Sequence, residues 1–338
     1  MGPPFLPTAV FSLALFVPLN EAQPIPTDGE PGSPSVQKVS EGRALRTLSG
    51  IIGPKCGIRP LVDEIKGSRI VGGHDAQVGA WPWQVSLQIF HFGEGFKHAC
   101  GGCLINHNSV LTAAHCIRNW MDPGFWKAVI GLHHTSRYLP QTVTCRVRAI
   151  MAHSDFNKDT FENDLALVKL IDTVEFNDYI QPICLPNNPL VVTDETPCYI
   201  SGWGDTKEKI RNRDVLQEAQ VDIIPEQVCN RDNWYGGAIK KNMLCAGAES
   251  GGIDSCQGDS GGPLMCYFPD ATKYYLIGIT TTGAGCGRPK LPGIYTSTAN
   301  YRSWIQSHII LFDKTSTVRI PYVLIFLTVE WVTLHIVL

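Results

Sequence analysis

Asp254-Ser255-Cys256-Gln257-Gly258-Asp259-Ser260-Gly261-Gly262-Pro263 sets Ser260 among glycines. Glycine adopts backbone conformations closed to other residues, so main-chain N–H groups can converge there on a developing oxyanion. One carboxylate, Asp259, directly precedes the serine, and a second, Asp254, stands six residues upstream. A serine hydroxyl is a weak nucleophile unless a base takes its proton and a third group orients that base. Both must come from elsewhere in the chain.

Thr112-Ala113-Ala114-His115-Cys116 offers the base. Asn163-Asp164-Leu165-Ala166-Leu167 offers the acid, an Asp at the head of an apolar run that reads as a buried strand. A His beside a Cys, an Asp before a strand and a glycine-rich loop each have ordinary structural uses. Together, in the order His115, Asp164, Ser260, they match one of the known chain orders of the Ser-His-Asp arrangement. On these motifs the chain resembles the trypsin-like serine proteases of the chymotrypsin fold, over about residues 56–310.

The resemblance implies an all-β architecture: two packed six-stranded antiparallel barrels with the triad in the cleft between them, and a C-terminal helix. Strand-like runs at Gln84–Phe90, Ser109–Thr112, Leu165–Leu170 and Leu276–Thr282, separated by Gly, Pro, Asn and Asp turns, suit that class. The helix is expected over Tyr301–Ile310, with Trp304 and Ile305 facing inward. The implied roles are Ser260 as nucleophile, His115 as general base and Asp164 as the group that orients it. The N–H groups of Gly258 and Ser260 would form the oxyanion hole.

Ser68-Arg69-Ile70-Val71-Gly72-Gly73 matches the family's activation site. Cleavage after Arg69 would free the Ile70 amine to pair with Asp259, since a buried carboxylate needs a partner. The full chain is then a zymogen, activated by a trypsin-like protease or by itself. Asp254 matches the base of the primary specificity pocket and Gly283 and Gly293 its walls, which implies protein substrates cleaved after Arg or Lys. Serpin or Kunitz-type inhibitors are the partners implied on the other side of the balance.

One departure stands out. The family usually carries Ser-Trp-Gly where this chain has Thr281-Thr282-Gly283. Thr281 keeps a hydroxyl that can bond towards Asp164. Thr282 removes a large aromatic wall, so subsites beyond the primary pocket should be more open or less apolar.

Twelve cysteines without a paired zinc-ligand pattern read as disulfides in an oxidising compartment. The resemblance implies the bridges Cys100–Cys116, Cys198–Cys266, Cys229–Cys245 and Cys256–Cys286. It also implies Cys56–Cys184, which would keep the pro-segment attached after cleavage. Cys103 and Cys145 fall outside the family pattern, and two outcomes stay open: a sixth bridge or buried free thiols.

Residues 1–22 contain the apolar stretch Phe5–Val17 and read as a signal peptide for the secretory pathway. Residues 23–69 are rich in Pro, Gly and Ser and read as a flexible pro-segment, and residues 70–310 as the peptidase domain. The segment 320–338 holds a run from Tyr322 to Leu338, largely apolar but interrupted by Glu330 and His335. It is expected to tether the protein to the cell membrane, facing outward, as a transmembrane anchor or a GPI-attachment signal. A merely sticky secreted tail is the third option. Further matches around Ala76–Trp83 and Asp178–Pro186 point to acrosin-like relatives, and through them to a sperm location.

A net charge of −3 implies no nucleic-acid partner. The stretch Gly131–Val143 matches a loop that binds calcium in some relatives, but it has no Asp or Glu. Calcium prefers oxygen ligands, so no metal is expected there, and the adjacent His133 and His134 read as solvated. No cofactor is expected. The competing assignment is a catalytically silent binding or adhesion module on a protease fold; such modules usually lack a triad member, and none is missing here.

Overall fold

The computed structural model describes residues 55–62, 73–186, 190–193, 195–204, 214–252, 258–283 and 285–315. The expected signal peptide, Arg69, Ile70, Asp254, Cys256 and the 320–338 tail lie outside the described residues.

Thirteen strands are described, all paired antiparallel. The first two are β1 (His74–Asp75) and β2 (Gln84–His91), followed by β3 (Gly95–Asn106) and β4 (Ser109–Thr112). After the short helix α1 (Ala114–Ile117) come β5 (Trp126–Ile130), β6 (Val143–Ala152) and β7 (Ala166–Leu170). Strands β2-β3-β4-β7-β6-β5 close into a barrel. Its core-facing residues follow from the period-two alternation of a strand: in β6, Cys145 and Val147 are buried while Thr144, Arg146 and Arg148 are exposed. The runs in β4 and β7 are buried throughout, as their short apolar sequences require.

The second half holds β8 (Cys198–Gly202), β9 (Gln217–Ile224), the short helix α2 (Glu226–Cys229), β10 (Met243–Gly247), β11 (Pro263–Phe268), β12 (Lys273–Thr282) and β13 (Gly293–Ser297). Their order is β9-β10-β13-β12-β11-β8, and β8 pairs back onto β9, which closes a second six-stranded ring. Strand β1 is added outside the ring, on β9. Helix α3 (Arg302–Thr315) ends the described chain, longer than its sequence suggested, with Ile305 buried and Trp304 packed against the core.

The barrels meet along their glycine-rich edges. The Trp83 indole donates to Met265 Sδ at 3.0 Å, and the Ser201 hydroxyl donates to Gln84 Oε1 at 2.8 Å. Gly101 N–H donates across the cleft to Ser260 O at 2.8 Å. A Cβ on Gly101 would stand 2.9 Å from the Gly262 backbone, so the close approach depends on that glycine.

Four disulfides join Cys56 to Cys184, Cys100 to Cys116, Cys198 to Cys266 and Cys229 to Cys245. Cys286 is also disulfide-bonded, while Cys256, its implied partner, lies outside the described residues. Cys103 and Cys145 are free and buried in the first barrel, which settles the two outcomes left open above. The segment around Cys56 is held by more than its bridge. Tyr274 N–H donates to Gly57 O at 2.9 Å, and the Arg59 guanidinium lies 4.1 Å from the Trp81 ring centroid.

One expectation is corrected. His133 is not solvated: it is buried, and its carbonyl accepts from Leu216 N–H at 2.9 Å and from the Trp203 indole at 3.1 Å. Neighbouring His134 meets Asp214 at 3.2 Å. Burial raises the Asp214 pKa, but hydrogen bonds from Ser136, His134 and Thr135 outweigh this and hold it at about 2.

Candidate active site

His115 sits in the short helix that follows β4, and Asp164 sits just before β7. Because β4 and β7 are neighbours, with Thr112 opposite Ala166, the two side chains are brought to the same end of the first barrel. Asp164 Oδ2 lies 2.6 Å from His115 Nδ1, and Asp164 Oδ1 accepts the His115 main-chain N–H at 2.8 Å. The acid is fully buried and the His side chain is 24% exposed, so only the base can meet a ligand. A carboxylate accepts only, so the ring carries its proton on Nδ1 and leaves Nε2 as the acceptor.

The turn that presents Asp164 is clamped from the second barrel and from the start of the C-terminal helix. Asn163 is left-handed (φ 59°), a conformation Asn tolerates better than most residues. Its Oδ1 accepts the Tyr301 hydroxyl at 2.7 Å, and its Nδ2 donates to Asp155 O at 2.9 Å. Asn242 bonds the same Tyr301 hydroxyl. The Thr296 hydroxyl donates to Asp164 O at 3.0 Å. The hydroxyl of Thr281 does not bond Asp164 directly: it pairs with Thr296 Oγ at 2.8 Å, so the contact runs through Thr296 to the main chain.

Ser260 stands on the loop that enters β11, partly buried, with its main chain bonded to the first barrel. Gly101 holds its carbonyl, and Gly261 N–H donates to Thr280 O at 2.8 Å. Gly261 is also left-handed (φ 79°), and a Cβ there would collide with Thr112 Oγ and Gly101 O. These contacts set the nucleophile candidate beside the strand end that leads into His115, next to the Cys100–Cys116 bridge.

Gly258 (φ 98°) is fixed through its carbonyl, which accepts from His98 Nε2 at 2.9 Å. A carbonyl cannot donate, so the His98 proton is on Nε2, and Nδ1 accepts the Ser86 hydroxyl at 2.8 Å. Burial lowers the His98 pKa, only partly opposed by the bond to Gly258. The Asp259 carboxylate is held beside Gly202 and Gly204, its Oδ1 accepting from Gly204 N–H at 2.8 Å. Side chains at Gly202 or Gly204 would collide with its carboxylate, so both glycines make the recess it occupies.

The two glycines expected at the pocket walls come together through strand register. Thr282 pairs with Ile294, which sets Gly283 and Gly293 at the same end of the β12–β13 pair. Asp254, expected at the base, lies outside the described residues. The sulfurs of Cys100 and Cys116 lie within 4.8 Å of His115, but both are in a disulfide and offer no thiolate to a metal. Asn163, Thr296, Tyr301, His98 and Ser86 were not singled out from the sequence. Only Asn163, beside the acid, had a local signal.

Two antiparallel barrels with a His–Asp pair and a glycine-set serine in the cleft define a serine-peptidase scaffold. Residues 70–305 match the family model described as Trypsin, and the chain belongs to that family.

Proposed function

We propose that this is a trypsin-like endopeptidase, made as a zymogen, that cleaves proteins after Arg or Lys. The two-point hold of Asp164 on His115, with Ser260 anchored opposite, carries the proposal. Ser260 Oγ attacks the scissile carbonyl as His115 Nε2 takes its proton. The N–H groups of Gly258 and Ser260 receive the oxyanion, and losing one such donor costs about 3–4 kcal/mol of transition-state stabilisation. His115 then protonates the leaving amine, whose departure leaves an acyl-enzyme. Water, deprotonated by His115, releases the acid. Asp164 holds the ring and stabilises the imidazolium without taking the proton.

Cleavage after Arg69 frees the Ile70 amine, which pairs with Asp259 and orders the oxyanion loop. Asp254 pairs with the substrate cation. The sequence likeness around Cys56–Gly57, Gly67–Gly73, Ala76–Trp83 and Gly261–Tyr267 is to transmembrane serine protease 12 and to acrosin-like proteases. It supports a secretory-pathway enzyme tethered by the 320–338 tail, with a role in sperm. Among the described residues no helix is long and apolar enough to cross a membrane.

The test is a chain cleaved after Arg69, assayed on Arg- and Lys-amide substrates beside its Ser260→Ala form. Turnover should vanish in the variant, and equal rates in both would overturn the catalytic role. Asp254→Ser should abolish the preference for basic residues; retained preference would sink that assignment. Release of the protein from cells by phospholipase would identify a GPI anchor and release by detergent alone a transmembrane one. Free protein in untreated medium would reject the tether.

A further inference from the structure

Arg59 lies upstream of the expected cleavage site, yet its guanidinium is seated on the peptidase domain. Its Cζ is 4.1 Å from the Trp81 ring centroid and 5.3 Å from that of Tyr274. The two rings stand edge-on, 5.6 Å apart at 90°, and form two walls of a cage. Both residues are buried. Arg59 Nη1 donates to the Tyr274 hydroxyl at 2.9 Å, while Arg59 Nε is buried with no hydrogen-bond partner among the described residues. A buried N–H without an acceptor is costly, so the hold on this cation comes from the ring faces. Glu218 supports the cage from the edge of the indole: its Oε2 accepts the Trp81 N–H at 2.7 Å. An anion at that edge and a cation on the face polarise the ring in the same sense.

The backbone beside Arg59 is fitted as closely. Gly57 N–H donates to Pro182 O at 2.8 Å, and Gly57 O accepts from Tyr274 N–H at 2.9 Å. Gly57 is left-handed (φ 68°), and a Cβ there would stand 2.3 Å from Tyr274 O, so the segment lies this near only as glycine. Val62 packs against the main core. Glu218 also reaches the chain beyond the expected cleavage site: its Oε1 is 3.7 Å from His74 Nε2, and the two residues are register partners in β1 and β9. Residues 63–72, which include Arg69, thus join two posts that meet at one carboxylate. We propose that Trp81 and Tyr274 form a guanidinium-binding site whose ligand is the chain's own Arg59. This site keeps the pro-segment on the domain by itself, without the Cys56–Cys184 bridge. Its consequence for an activated enzyme rests on the cleavage proposed above: the pro-segment is then a permanent strap. The cage does not depend on that cleavage.

The test needs no turnover, so it stands or falls apart from the proteolytic function. In the full chain carrying Ser260→Ala, Cys56→Ser and Cys184→Ser, residues 63–69 are replaced by the recognition sequence of a site-specific protease and cut. The N-terminal fragment should co-elute with the domain on size exclusion. Arg59→Ala should raise its dissociation constant by about tenfold or more. Arg59→Lys should recover only part of that loss, because an ammonium lacks the planar stack. A fragment that leaves the parent at once, or is held equally well in Arg59→Ala, would overturn the proposal. A synthetic peptide of residues 55–62 with Cys56→Ser should displace the fragment. Its counterpart with citrulline in place of Arg59, close in shape but uncharged, should need about tenfold more. Equal displacement by the two peptides, including none by either, would also overturn it. Should the chain without the bridge fail to fold, the bridged chain is cut in the same way and followed by amide exchange. The Gly57 N–H should exchange about tenfold faster in Arg59→Ala than in the parent, and an unchanged rate would remove Arg59 as the holding residue.

Discussion

Asp164 holds His115 at two points, its Oδ2 at 2.6 Å from the ring Nδ1 and its Oδ1 on the main-chain N–H at 2.8 Å. The carboxylate fixes both the place of the residue and the tautomer of its ring. Asp164→Asn keeps an oxygen for the main-chain bond but can turn an NH2 towards Nδ1. The ring would then have to accept there, and Nε2 would carry the proton. The expected loss in kcat is on the order of 10⁴, as found for the same change in the type example of this arrangement, with KM little altered. Thermal unfolding should move far less for Asn than for Asp164→Ala, which also strands the His115 N–H. A rate loss of tenfold or less in Asp164→Asn would refute the orienting role.

The pair itself was legible because each partner sits in a short local motif at the edge of an apolar strand. What holds the pair was not. Tyr301 lies 138 residues from the Asn163 it clamps, and Thr296 lies 132 residues from Asp164. No local pattern links such partners; only the closing of the second barrel brings them together. Thr281 shows the same limit. Its hydroxyl was readable as a donor, but its partner depends on the β12–β13 register, which a bulge shifts between Thr280 and Thr282. His133 misled for a related reason. Two adjacent histidines in a strandless stretch look solvated, and the Trp203 that covers one comes from 70 residues away.

Gly204 gives a second test, of the recess around Asp259. A Cβ on Gly204 would stand 2.5 Å from Asp259 Cγ, inside any van der Waals contact. In Gly204→Ala the carboxylate must move, and Ser260, the next residue, moves with it. Overpacking costs about 1–3 kcal/mol of stability. Displacing the loop proposed to receive the oxyanion should lower kcat by about 10² to 10³. Urea unfolding and turnover would be measured on the same preparation, and wild-type values for both would show that the recess does not constrain Asp259.

The two free thiols give a third. Cys103 and Cys145 are buried in the first barrel, and burial raises the pKa of each, for Cys145 with a further contribution from Asp172. The thiolate is the reactive form, so the folded protein should resist alkylation at neutral pH. Mass spectrometry should find both positions unmodified after native treatment with iodoacetamide and modified after treatment in denaturant. Rapid labelling of either thiol in the native state would contradict the barrel packing described for it.

His98 links stability to pH through the Gly258 contact. Its folded pKa is lowered, first by burial, while the unfolded chain titrates near the ordinary value of about 6.5. Between those two values the unfolded state binds more protons than the folded one, so stability rises with pH across that window. The contribution is fully present above about pH 6.5 and is lost as pH falls towards the folded pKa. A proton on Nδ1 would also end its acceptance of the Ser86 hydroxyl, because both ring nitrogens would then donate. Wild-type protein should therefore lose more stability than His98→Gln on going from about pH 7 to about pH 5, since Gln has no proton to take up. Urea midpoints for the two proteins at matched ionic strength give the difference directly, and parallel midpoints across the range would remove His98 as the linked group.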